Sequence, residues 1–151
     1  MITYSPEQER TLNQISLGDG FSLAEFECPC CRRVCLDARL LNLVQAIRVA
    51  LEQEVIINGA YYCEAFNISI QGALDSHHVR GWAANLYSST LTTGALKDVV
   101  IKTMRKVLTN GRIGTYSGMR VVHVSVETLV AREGIELFVQ HSDGTVEEKV
   151  I

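Results

Sequence analysis

The sequence lacks the features that mark membrane-spanning, exported and nucleic-acid-binding proteins. No stretch of the 151 residues is apolar over the length that a transmembrane helix needs. No basic stretch followed by an apolar one stands near the N-terminus, so we expect no signal peptide. The formal net charge is −3 and there is no long basic run, which predicts a protein that binds neither membranes nor nucleic acid.

What is present is an ordinary globular composition, with 47% hydrophobic and 21% charged residues. A chain of this length usually forms one domain with a real core, so we treat residues 1–151 as a single domain. Apolar residues recur at helical spacing between residues 36 and 54 and between residues 96 and 108, which predicts two amphipathic helices. A third helix is expected from Ser5 to Ile15, because Ser5 and Pro6 form a typical helix start.

Short β-rich runs make up much of the remaining chain. We expect a buried strand at 55–57, an irregular segment at 61–76, strands at 81–87, 113–116 and 119–126, and a short helix at 126–132. Two more runs, 135–141 and 146–151, flank Ser142-Asp143-Gly144, which is a hairpin signal. The predicted fold is therefore α+β, a small and mainly antiparallel sheet with packed helices and a C-terminal β-hairpin at 134–151.

Four of the five cysteines, Cys28, Cys30, Cys31 and Cys35, crowd into one short segment, and Cys63 stands apart. An odd number of cysteines without a signal peptide argues against a disulfide framework. Three interpretations stay open, namely a zinc site, a disulfide formed in an oxidising medium, and packing of small thiols. The segment holds one Cys-x₂-Cys pair where a strong zinc motif has two, so we favour packing.

The chemically informative segments are Ser76-His77-His78 with the strand that follows it, and Val121-Val122-His123-Val124-Ser125. A loop histidine, a residue seven positions later and a histidine on a neighbouring strand can turn toward one point. Two imidazoles and one carboxylate arranged in this way hold Zn²⁺ and leave a position for water, which the metal activates. His78, Asn85 and His123 occupy these three positions.

This order of motifs resembles that of the zinc D-alanyl-D-alanine carboxypeptidases and their phage endolysin relatives, whose zinc fold the hedgehog signalling domain shares. The resemblance runs from about residue 21 to residue 126 and includes Phe26-x-Cys28 with Cys30 and Cys31, Tyr61-Tyr62-Cys63 through Asn67, Gly72-Ala73, and the strand at 111–116. It implies metal ligands at His78, Asn85 and His123. It also makes Tyr62, Ser76 and Trp82 the candidate substrate-binding residues, although Trp82 is more typical of core packing.

Several positions depart from the family pattern. The third ligand should be aspartate, but Asn85 is a neutral and weak ligand, so we expect either no zinc or weakly bound zinc. The arginine that binds the substrate carboxylate aligns with Tyr62, which cannot form a bidentate ion pair. Val121 and Ser125 stand where relatives have an acid/base histidine or an aspartate. We therefore assign no catalytic residue. We also assign no role to His77, which we expect to be exposed.

These departures predict a catalytically degenerate domain that acts as a structural or binding module. Because peptidases of this family are common in bacteriophage genomes, the resemblance implies a virion protein of the tail, head or connector, made in the host cytoplasm. Its expected partners are other virion proteins or further copies of itself, with peptidoglycan as a second candidate. The alternative is an active zinc D,D-carboxypeptidase or endopeptidase that cleaves peptidoglycan stem peptides with a base such as Glu127. A third hypothesis is a hedgehog-like domain that binds wall peptide without cutting it.

Overall fold

A computed structural model describes residues 2–3, 16–18, 20–129 and 132–151 of the chain. The predicted helix from Ser5 to Ile15 lies outside the described residues. The predicted helix at 126–132 lies partly outside them, and its described part, 126–129 and 132, is not helical. None of the helices in the described part of the chain combines the length and apolar character that a membrane span needs.

The described elements agree with an α+β fold. The helices are α1 (Ala38–Leu51), α2 (Glu64–Ser69) and α3 (Thr93–Val107), and a 3-10 helix covers Leu23–Phe26. The strands are β1 (Ile2–Thr3), β2 (Ser16–Gly18), β3 (Phe21–Ser22), β4 (Cys35–Leu36), β5 (Ile56–Ile57), β6 (Ala83–Tyr87), β7 (Asn110–Tyr116), β8 (Val122–Ser125), β9 (Gly134–Gln140) and β10 (Val146–Val150).

Six of the strands form one sheet in the order β10-β9-β7-β8-β6-β5. Neighbouring strands are antiparallel except β7 and β9, which run parallel because the chain crosses over after β8. Strands β9 and β10 pair from Gln140 opposite Val146 to Glu136 opposite Val150. The mainly antiparallel sheet and the C-terminal hairpin are thus confirmed.

The two long helices begin at side-chain caps and bury one apolar face each. The Asp37 carboxylate accepts the Arg39 N–H at 2.8 Å and begins α1, while the Thr92 hydroxyl accepts the Ala95 N–H at 3.1 Å and begins α3. The helices pack on each other, and α3 also packs on β7 and β8. The residues that they contribute to the core are Leu40, Leu43, Val44, Ile47, Leu96, Val100 and Met104. Both predicted amphipathic helices are confirmed.

Two local predictions are wrong. The segment expected to be irregular contains α2, which buries only Asn67 among its six residues and therefore shows no apolar periodicity. The strand expected to be buried is β5, but Ile56 is 37% exposed because β5 is the outermost strand of the sheet.

Strand register places four positions in one row across the sheet. Asn85 of β6 lies opposite His123 of β8, His123 lies opposite Gly114 of β7, and Gly114 pairs with Phe138 of β9. Residues paired in this way project to the same face of the sheet. The fold thus brings both candidate ligands of the sheet and an aromatic residue of the C-terminal hairpin to one face.

Candidate functional site

His78 lies in the turn before β6 and is held by a main-chain carbonyl. Its Nδ1 is 2.6 Å from the carbonyl oxygen of Ala60, which only accepts, so Nδ1 carries the proton. Burial lowers the pKa of His78 to about 4, although the bond to Ala60 raises it. The ring is therefore neutral near pH 7, and its Nε2 is left as an acceptor.

His123 lies beside His78, with 5.2 Å between the ring centroids and 72° between the ring planes. Its Nδ1 is 3.2 Å from the amide oxygen of Asn85. Burial lowers the pKa of His123 well below its usual value, and the positive charge of Arg112 and the neighbouring imidazole of His78 oppose its protonation further. A neutral His123 that donates from Nδ1 to the amide oxygen satisfies both groups.

Tyr62 completes this arrangement from the segment before α2. Its ring stacks on His78 with 4.5 Å between the centroids and 21° between the planes. Burial raises the pKa of the Tyr62 hydroxyl, while a hydrogen bond with the Asn85 side chain lowers it. A Cβ atom at Gly59 would collide with the hydroxyl, so the glycine there makes room for this ring position. Tyr62 thus lies beside Asn85, whose amide oxygen in turn meets Nδ1 of His123.

These groups lie at the base of a cleft of about 820 Å³. Tyr62, Ser76, His78, Asn85 and His123 all line it, so the structure brings five of the six candidate residues together. Trp82 does not line the cleft. Its ring lies beside His77, with 5.4 Å between the centroids, and packs against the core.

The opposite wall comes from the C-terminal half of the sheet and carries Arg112, to which the sequence analysis assigned no role. Its guanidinium carbon lies 3.9 Å from the centroid of the Phe138 ring. Its Nη2 is 2.7 Å from Glu148, and its Nε lies 3.3 Å from Glu136 at an angle that leaves Nε without a hydrogen bond. Arg112 stands two residues before Gly114 in β7, and this alternation is the signal that predicts its position on the cleft face.

Two further predictions are corrected by contacts. His77 is half-buried rather than exposed, and its Nδ1 lies 2.6 Å from the hydroxyl oxygen of Ser125. Glu127 cannot serve as the base in the cleft, because Arg39 binds one of its oxygens at 2.7 Å and Asn110 donates to the other at 3.2 Å. Glu127 is also absent from the cleft lining.

The residues of the cleft do not fit a hydrolytic zinc centre. Such a centre uses three protein ligands and an open position for water. Asn85 is neutral, and its amide oxygen already lies 3.2 Å from Nδ1 of His123. Within the described ranges, no group of three histidine, cysteine or acidic side chains converges at the two histidines.

The four cysteines that lie together in the structure are not the four that lie together in the sequence. The sulfurs of Cys28, Cys30, Cys31 and Cys63 lie within 4.8 Å of one another. The sulfur of Cys35 instead lies 3.8 Å from the carbonyl oxygen of Arg80. The structure therefore adds the distant Cys63 to the group and removes Cys35 from it.

An α+β domain that brings a loop histidine, a strand histidine and a third polar strand residue into one cleft has the architecture of a zinc peptidase. The family model for Peptidase M15 matches residues 19–125, which is well over half of the chain. The chain belongs to this family, whose members depend on zinc, and the resemblance recognised in its motifs is confirmed. The C-terminal hairpin lies beyond the matched residues. A comparison with curated protein sequences finds no match.

Proposed function

We propose that this peptidase M15 domain does not hydrolyse peptides and acts as a binding or structural module. The observation that carries the proposal is the amide of Asn85, which stands where the family resemblance expects a carboxylate ligand and lies 3.2 Å from Nδ1 of His123. An amide neither neutralises a metal ion nor accepts a proton from water at neutral pH.

The carboxylates of the opposite wall do not supply the missing base. Glu136 is 1% exposed and interacts with Arg112 and Arg132, and Glu148 pairs with Arg112. A carboxylate whose oxygens are held by arginine is poorly placed to take a proton from an attacking water. The charges at this wall favour a stable ion-pair network over proton transfer.

The cleft nevertheless keeps the properties of a peptide-binding site. Its volume of about 820 Å³ lies within the range of small-ligand pockets. The aromatic rings of Tyr62, Tyr116 and Phe138 and the polar edges of Ser76 and Gln140 line it. A short peptide of the peptidoglycan stem type is the ligand class that the family relationship suggests.

The deciding experiment measures hydrolysis and binding separately. The purified full chain is incubated with muropeptides and added Zn²⁺, and release of D-alanine is followed. The same peptides are then titrated into isotope-labelled protein, and the resonances of Tyr62 and His78 are monitored. We expect no D-alanine release, while shifts confined to the cleft would identify a binding module.

If the unmodified protein releases D-alanine and His123→Ala does not, the alternative is established, an active zinc D,D-carboxypeptidase or endopeptidase. If no stem peptide is hydrolysed and none shifts the resonances, the domain has a structural role.

For its location we propose a bacteriophage particle, in which the chain contacts other virion proteins or copies of itself. The family relationship suggests this setting. The edge strand β10 supports a docking role, because all five of its residues are exposed and Val146 is 47% exposed. An open strand edge is a common surface for β-pairing with a partner.

This proposal predicts that the isolated chain self-associates or sediments with particles. Val146→Arg should weaken that association, whereas Val107→Arg, at a helix position with a similar 45% exposure, should not. Analytical ultracentrifugation and particle fractionation measure both effects. A chain that stays monomeric and is absent from purified particles would contradict the proposal.

A further inference from the structure

Four cysteine sulfurs converge at the end of the molecule that holds the turn before β4. Cys28, Cys30 and Cys31 come from this turn, and Cys63 comes from the residue before α2. All four sulfurs lie within 4.8 Å of one another, with 3.8 Å between Cys28 and Cys30 and 3.3 Å between Cys30 and Cys63. Tetrahedral coordination with Zn–S bonds of about 2.3 Å places sulfurs roughly 3.8 Å apart. The observed spacing is close to that geometry.

Main-chain hydrogen bonds fix this convergence. Within the turn, the Cys28 N–H donates to the Arg33 carbonyl at 2.8 Å, and the Arg32 N–H donates to the Cys28 carbonyl at 2.9 Å. Arg32 adopts a φ of 59°, the left-handed conformation that closes the turn. The second segment is joined to the first through the Cys63 N–H, which donates to the Cys28 sulfur at 3.3 Å. The position of the sulfurs therefore follows from the backbone.

The electrostatics of the cluster favour a cation at its centre. Burial raises the pKa of the Cys28 thiol, but N–H donors from Cys63, Cys30 and Cys31 outweigh it and lower the pKa to about 7. The bond with Cys63 raises the pKa of Cys30 to about 12, and burial raises that of Cys31. Thiolates within 4.8 Å of one another repel unless a positive charge lies between them, so this geometry favours a bound cation.

Packing does not explain the cluster, although the sequence favoured that interpretation. Cys28 alone among the four is buried, while Cys30 is exposed and Cys31 and Cys63 are half-buried. Small thiols that fill a core have no reason to converge at the surface. A single disulfide would account for two of the sulfurs, whereas one tetrahedral metal ion accounts for all four.

We propose that Cys28, Cys30, Cys31 and Cys63 bind one structural Zn²⁺ at a site separate from the histidine cleft. Each Zn–S bond forms as the corresponding thiol proton passes to solvent, and no oxidation or reduction is involved. The site ties the turn at 28–33 to the segment that carries Tyr62. Because the Tyr62 N–H also donates to the His78 carbonyl at 3.2 Å, the zinc ion holds one wall of the cleft in place.

Metal content of the full chain tests the proposal. The protein is purified under reducing conditions with added zinc, and the number of zinc ions per chain is measured by inductively coupled plasma mass spectrometry. We expect one zinc per chain in the unmodified protein and in Cys35→Ser, the matched control outside the cluster. In Cys30→Ser and in Cys63→Ser the zinc dissociation constant should rise by more than the ~100-fold that loss of a residue supporting a ligand can cause.

Two measurements keep the result decisive if a variant folds poorly. Cobalt added to the unmodified apoprotein should give the thiolate charge-transfer and tetrahedral bands of a four-sulfur site. His78→Gln should retain the zinc, because the proposed site does not use the histidines. Absence of zinc and of the cobalt bands, or zinc that is lost in His78→Gln and kept in Cys30→Ser and Cys63→Ser, would overturn the proposal while leaving the question of hydrolysis separate.

Discussion

The amide oxygen of Asn85 lies 3.2 Å from Nδ1 of His123. The family resemblance leads us to expect a carboxylate ligand at residue 85. Strand pairing places the two residues directly opposite each other, so the backbone geometry for a ligand pair is retained. What differs is the chemistry of one side-chain group. A single substitution at residue 85 can therefore test whether a carboxylate restores metal binding.

Asn85→Asp should create a zinc site in the cleft. The new carboxylate supplies the missing negative charge beside His123 and His78, so we expect zinc affinity at the cleft to rise by at least about tenfold, which equals ~1.4 kcal/mol. Calorimetric titration in a Cys30→Ser background isolates this effect from the cysteine cluster. Asn58→Asp adds the same charge at an exposed position and should leave affinity unchanged. Equal affinity in both variants would mean that the cleft has lost the ligand geometry.

Tyr62→Phe should destabilise the fold by about 1 kcal/mol, the usual net value of one hydrogen bond. The substitution keeps the ring that stacks on His78 and removes the hydroxyl that bonds Asn85. Urea denaturation measures the change. Tyr87→Phe is the control, because the guanidinium of Arg120 contacts Tyr87 through the face of its ring, which phenylalanine keeps, so the loss of this hydroxyl should change stability little. Equal effects of the two substitutions would argue against the Tyr62–Asn85 bond.

Local sequence patterns predict much of this fold. Helices α1 and α3 bury regular apolar faces and begin at Asp37 and Thr92, so spacing and capping identify them. The hairpin of β9 and β10 follows from turn residues between two β-rich runs. Helix α2 escapes prediction because its start depends on Cys63 and its only buried residue is polar. The sequence pattern there carries no signal of burial.

The site is less predictable because it depends on contacts between distant segments. His78, Asn85 and His123 were found through the order of family motifs, which encodes their convergence indirectly. Cys63 joins Cys30 across 33 residues, and local spacing favoured Cys35 in its place. Long-range strand pairing and turn geometry decided these cases, and neither is visible in a short sequence window.

Stability should fall as the pH drops from about 6.5 toward 4, and His78 should cause part of that fall. The folded protein lowers the pKa of His78 to about 4, whereas the unfolded chain takes up a proton near 6.5, so acid favours unfolding across this window. With His78 only 7% exposed, the contribution is on the order of 3 kcal/mol. Urea denaturation at several pH values gives the free energy of unfolding as a function of pH. Between pH 6.5 and 4 this free energy should fall less steeply in His78→Gln than in the unmodified protein.

Gly114→Ala should destabilise the sheet by roughly 1–3 kcal/mol, the typical cost of overpacking. A Cβ atom at residue 114 would collide with the ring of Phe138, which lies on the glycine and has its centroid 5.5 Å from that of His123. Gly94→Ala is the matched control, because nothing lies near a Cβ at that helical position and the substitution should stabilise by about 0.5–1 kcal/mol. If steric conflict with Phe138 is the cause, Phe138→Leu should recover part of the loss in the double variant. Similar unfolding free energies for Gly114→Ala and Gly94→Ala would show that the Phe138 ring does not pack tightly on Gly114.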